Sequence, residues 1–259
     1  MKNILKTFWQ IVFKEITVFR KVFVSKFIDL LIMVVTNIIV FTFLMPSFGL
    51  KSTYGAFIVI GLIPAVSLFD AIPRTTNMVM DITGNKKISY LLTLPIPSAL
   101  AIAAIAVGWA ANSAMFSILI LPVAKILLYN KFSLSQFSFF KFIISFLSFQ
   151  LMLGFFSLFL SSLIKDMKYI SWIWARVVNP LFMLGGYFYT WKSIYSLNHI
   201  AGLVNLANPI MIAAESIRGA VLGPKGYLPF WFTILALYIF MFIFASIGIL
   251  KIKKRLDCV

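Results

Sequence analysis

The stretch Leu228–Leu250 reads LPFWFTILALYIFMFIFASIGIL and carries no charged side chain. A hydrocarbon core of about 30 Å is crossed by roughly 20 apolar residues of helix at 1.5 Å each. This stretch is long enough to span it. Five similar stretches precede it, at Phe27–Pro46, Tyr54–Pro73, Leu100–Ala124, Phe142–Ile164 and Tyr169–Thr190. Lipid offers no partner to a bare N–H or C=O, so each must close its own hydrogen bonds as a helix. The sequence predicts an all-α polytopic membrane protein with six transmembrane helices, forming one membrane domain over residues 1–259.

Composition agrees with this reading. Hydrophobic residues make up 62% and charged ones 12%, 28 residues are Phe, and mean hydropathy is +1.02, which leaves too little polar surface to clothe a soluble globule. The net charge of +16 does not point to nucleic acid, because the basic residues gather at the ends of spans rather than along one face. With the N-terminus cytoplasmic, 16 of the 23 Lys and Arg residues fall on the cytoplasmic side. Both termini are then cytoplasmic. Lys125, Lys131 and Lys141 would all lie outside, and a topology with one re-entrant segment stays open beside the six-span one.

Residues 1–26 precede the first span without the form of a secretory signal. Ile4, Phe8, Ile11, Val12, Ile16, Phe19 and Phe23 recur at helical spacing, opposite Lys6, Gln10, Lys14 and Lys21. Such a basic amphipathic helix lies in the headgroup plane, with Trp9 suited to the same interface. It acts either as a topology anchor or as a lever between a cytoplasmic partner and the first span.

Several chemistries are excluded. The one cysteine, Cys258, permits no internal disulfide, and the one histidine, His199, gives no two-histidine metal helix. Gly49-Leu50-Lys51-Ser52 lacks the Gly-Lys pair of a phosphate-binding loop. No cluster of His, Asp and Glu stands at one depth, so the chain is read as a non-enzyme with no catalytic and no metal residues and no cofactor of its own.

Residues 74–98 form the most informative cytoplasmic stretch. Asp81-Ile82-Thr83-Gly84-Asn85 is a turn and Pro95 is a helix breaker, so a short amphipathic helix fits between them, with Ile88, Leu91 and Leu92 on one side and Lys86, Lys87 and Ser89 on the other. It is either a solvated connector or a peg for a soluble partner. The run from Thr83 to Pro95, TGNKKISYLLTLP, resembles the thread that comes after the second span in permease subunits of type 2 ATP-binding-cassette exporters. Ile164-Lys165-Asp166-Met167-Lys168-Tyr169-Ile170 is similar to that family's basic turn between spans four and five. Leu184-Gly185-Gly186-Tyr187-Phe188-Tyr189 resembles the end of its fifth span, and Asn208-Pro209 with Glu215, Arg218 and Gly223 resembles its segment before the last span.

The resemblance implies the transmembrane subunit of an exporter, forming the pathway for an amphipathic substrate: a lipid-linked glycan, a lipid or a hydrophobic drug. ATP and Mg would bind a separate ATPase subunit, a second permease copy would complete the pathway as a homodimer, and the home would be the bacterial cytoplasmic (inner) membrane. Asp81, Lys86, Lys87, Tyr90 and Leu91 would couple to the ATPase. Arg176, Tyr187, Phe188, Glu215 and Arg218 would line the pathway or its gate.

The last two motifs also read physically. Asn208 suits a helix cap before Pro209, Gly223 suits the residue past the helix end, and Glu215 and Arg218, three apart, share a face and can pair. The outer loop, residues 191–227, is read either as a short re-entrant helix before the last span or as a packed connector. Arg176, inside the fifth span, meets an anionic headgroup, snorkels, or pairs with Asp29 or Asp70. Asn179-Pro180 beside it would kink the helix. The competing function is a secondary transporter driven by an ion gradient, which calls for repeats and midspan carboxylates.

Overall fold

A computed structural model describes residues 2–49, 54–85, 87–129 and 132–257, with the side chains of residues 2, 85, 87, 91, 92 and 257 excepted. The described residues form helices and turns with no strand. In chain order these are α1 (Lys2–Ile38), α2 (Tyr54–Met80), α3 (Ser98–Ser117), α4 (Ile120–Leu128), α5 (Phe139–Leu163), α6 (Ile170–Ile173), α7 (Asn179–Met183), α8 (Trp191–Leu197), α9 (His199–Asn205), α10 (Pro209–Val221) and α11 (Phe230–Asp257). Among them, five helical runs are long and apolar enough to cross a membrane: Asn3–Phe48, Tyr54–Gly84, Ser98–Leu128, Phe139–Leu163 and Phe230–Leu256. A sixth arises if α9 and α10, bent by 92° to each other, count as one span. These are the helices of a multi-pass membrane protein.

Burial sorts them. In α2 78% of the most apolar window is buried, against 22% in α1 and in α11, so α2 is interior and the first and last helices keep a broad face for lipid. α5 packs against α2, α3, α10 and α11. Its far end is closed by Arg255 of α11, whose guanidinium donates to the carbonyls of Ser161 (3.1 Å) and Ile164 (2.7 Å). Those carbonyls lie where a helix has no partners of its own.

Three boundaries differ from the sequence reading, each for a local reason. The interfacial helix expected over residues 1–26 and the first span are one continuous helix. No Gly or Pro interrupts Lys2–Met45, and nothing else forces a break. The stripe Ile4, Phe8, Ile11, Val12 and Ile16 packs against Ile102, Ile105 and Trp109 of α3 and the end of α11 instead of lying on lipid. The cytoplasmic loop expected from Arg74 starts later, because α2 continues to Met80 and winds into a π turn over Asp81–Asn85.

The third difference is the fifth span expected over Tyr169–Thr190, where the helix stops at Met183 and is not among the runs long enough to cross a membrane. Its helix runs as α6, a π segment over Trp174–Val178, and α7, ending at Met183. Pro180 lacks an N–H, and its ring crowds the carbonyl four residues back, so the turn before it widens. Gly185 and Gly186 then reverse the chain, Gly186 with φ of 72°. That left-handed conformation suits glycine.

Candidate functional site

Two polar clusters stand out, at opposite ends of α2. The first gathers four of the five residues expected at the gate, Tyr187, Phe188, Glu215 and Arg218. Tyr187 lies in the turn after α7 and donates its hydroxyl to Asn37 of α1. Tyr54, opening α2, donates to the Phe188 carbonyl at 2.6 Å, and the Phe188 ring meets Phe41 at 6.3 Å. α10 closes over this junction. Asn208 caps it by accepting from the Ile210 N–H at 2.9 Å, Pro209 takes the first position, and Gly223, with φ of 97°, sits just past the end, all as the sequence indicated.

Glu215 and Arg218 do not form the expected ion pair. Each engages backbone instead. The Glu215 carboxylate accepts from the N–H of Trp191 (3.0 Å) and of Leu228 (3.1 Å), joining the start of α8 to the approach to α11. Arg218, fully buried, donates to the carbonyls of Phe57 (3.2 Å), Gly186 and Tyr187 (2.8 Å), and its guanidinium lies 3.6 Å from the Phe57 ring centre. The loops supply orphaned, buried backbone groups, and satisfying those outweighs pairing the two side chains. The cluster is a latch across α1, α2, α7 and α10.

Gly61 makes room for that latch. A Cβ there would collide with the Arg218 guanidinium and come within 3.3 Å of the Tyr187 ring. Gly61→Ala is therefore expected to lower the yield of folded protein several-fold, as read by monodisperse elution in detergent. Wild-type yield would mean that the latch relaxes freely.

The second cluster was not assigned from the sequence. Asp70 of α2 is gripped by Lys26 of α1 and by Arg74 one turn on, and Arg74 also donates to the Trp109 carbonyl of α3 at 2.6 Å. Beside this triad, a cavity of about 440 Å³ opens between α1, α2 and α3, with Glu15, Asn77, Asp81 and Asn112 on its walls. The spacing of Asp70 and Arg74, four apart, was the available signal.

Arg176 belongs to neither cluster. It is exposed, 5.1 Å from the Trp172 ring, and Asp70, which the sequence offered as its partner, is committed elsewhere; Asp29 is exposed. Of the expected coupling residues, Lys86 lies outside the described residues, as do the side chains of Lys87 and Leu91. Asp81 accepts from the Ile88 N–H at 2.7 Å, closing the turn before a 3₁₀ helix over Lys87–Thr93. Ile88 is buried against the cluster that joins α1, α3 and α11, while Tyr90 is 68% exposed.

Among the described residues, no group of His, Cys, Asp and Glu is placed to hold a metal ion. No protein-family model and no curated protein matches this chain.

Proposed function

We propose that this chain is the membrane subunit of an ATP-driven exporter of an amphipathic substrate, working with a second permease copy and a separate ATPase that carries ATP and Mg. In this reading the broken helix α6–α7 is the fifth of six spans, α9–α10 is a re-entrant hairpin, and both termini face the cytoplasm of a bacterial cell.

The observation that carries the reading is the segment after α2. Asp81 and buried Ile88 fix its base to the helices, and Tyr90 stands clear at its crest. A push on Tyr90 is delivered through Ile88 to the packed ends of α1, α3 and α11. A floppy connector would absorb the push; an anchored one transmits it. An ion-coupled carrier would instead use a carboxylate free to exchange its ion, and of the buried and half-buried carboxylates only Glu15, on the cavity wall, is in neither an ion pair nor a backbone clasp. Asp70 sits between two cations, and both Glu215 oxygens are taken by backbone N–H groups.

The test is Tyr90→Ala combined with Leu91→Ala, co-purified with the ATPase that accompanies the chain in its native membrane. Export is expected to fall at least tenfold while membrane insertion and basal ATP hydrolysis persist. Unchanged coupling, or recovery of the chain with no ATPase, would sink the proposal.

A further inference from the structure

We propose that the cavity between α1, α2 and α3 is a binding site for the zwitterionic headgroup of a phospholipid, its phosphate held by Lys26 and its amine by Glu15 and Asn112. Depth places the site at a membrane surface. Lys26 stands 20 residues before Pro46, and Arg74 stands 20 residues after Tyr54. At 1.5 Å per residue each is about 30 Å from the far end of its helical run, Asn3–Phe48 or Tyr54–Gly84, one hydrocarbon thickness away. That is the headgroup level of the leaflet nearest the chain termini. The mouth is edged by Val18 and Val22, 55% and 45% exposed on α1, which gives acyl chains an apolar track out of the cavity.

The charges divide by sign. Asp70 is shared by Lys26 and Arg74, so this triad carries two cations for one anion, with Asp81 further along the wall. Lys26 keeps N–H donors beyond its bond to Asp70, and its side chain is 29% exposed. A phosphate is the group this end accepts. The other end offers acceptors, with the cation Lys14 on the wall beside them. The Glu15 carboxylate stands against the Trp109 indole, and Asn112 donates to the Glu15 carbonyl at 3.1 Å. The side-chain oxygen of Asn112, a residue only 8% exposed, has no hydrogen-bond partner among the described residues. Burying an acceptor unpaired is costly, and an ammonium N–H would satisfy it. A headgroup with a phosphate and an amine matches both ends, whereas phosphatidylglycerol matches one and diacylglycerol neither. The volume lies within the range of small-molecule pockets. This site goes beyond the transport reading and does not depend on it.

Native mass spectrometry of the full chain in detergent, with phosphatidylethanolamine, phosphatidylglycerol or diacylglycerol added, tests the site. Phosphatidylethanolamine is expected to be retained at least tenfold over diacylglycerol and several-fold over phosphatidylglycerol. Lys26→Gln and Glu15→Gln should each cut that retention at least fivefold, and Lys251→Gln on α11 should not. Each variant is first checked for wild-type elution and thermal midpoint, so that lost binding is not lost folding. Equal retention of diacylglycerol, or full retention by Lys26→Gln, overturns the site. Equal retention of phosphatidylglycerol overturns the role given to Glu15 and Asn112. Displacement by soluble glycerophosphoethanolamine at equal concentration overturns a membrane lipid as the source of the headgroup.

Discussion

Arg218→Leu is expected to lower the stability of the folded chain by about 3 kcal/mol or more, because three buried carbonyls lose a charged donor. The arginine is fully buried, and three carbonyls from two separate segments converge on it. Leucine leaves the carbonyls of Phe57, Gly186 and Tyr187 facing an apolar side chain, and each orphaned acceptor costs about 1–3 kcal/mol where water does not reach it. Arg218→Lys should recover only part of the loss. An ammonium is a point donor, and it does not reproduce the planar fork or its stacking on Phe57. Glu215→Gln should cost less, about 1–3 kcal/mol, because its oxygen still accepts one of the two N–H groups while its amide faces the other. Thermal unfolding in detergent, tracked by tryptophan fluorescence, ranks the three. If Arg218→Leu and Glu215→Gln prove equally mild, the latch is not what fixes the turn after α7 to α2.

The same pair marks where the sequence stops being readable. Spacing put Glu215 and Arg218 on one face of a capped helix, and the helix, its cap at Asn208 and its end at Gly223 are all found as read. Their partners are not, because the competing acceptors are backbone groups of Phe57, Gly186 and Tyr187, remote in sequence. A carbonyl leaves no trace in the identity of its residue. The N-terminal stripe obeys the same logic. Its helical period was legible, but a period says only that one face is apolar, and α3 covers it rather than lipid. Apolar runs needed only length to be recognised, so α2, α5 and α11 were found directly. The fifth span was overestimated because its apolar run continues past Met183, while Pro180 and the glycines at 185 and 186 end the helix from within.

Depth without azimuth explains the misplacement of Arg176. Its position along the fifth span put it near the level of Asp70, yet successive residues turn by about 100° around a helix, so level alone does not make partners. Asp70 had a closer candidate one turn away in Arg74 and a second across the groove in Lys26. Asp70→Leu is therefore the second large perturbation, expected to cost about 3–5 kcal/mol, since it leaves Arg74, 9% exposed, without its anion beside a second cation. Arg74→Leu should cost less, because Lys26 remains to balance Asp70. In the double variant Asp70→Leu with Arg74→Leu, most of the loss should return: no buried charge is left unpaired, and Lys26, 29% exposed, can extend its ammonium to the headgroups. The expected coupling between the two positions is about 2–3 kcal/mol, at the upper end for residues in one ionic network. Thermal midpoints of the four proteins in the same detergent close the cycle. Additive losses would mean that the carboxylate and the guanidinium are solvated separately and do not act as a pair.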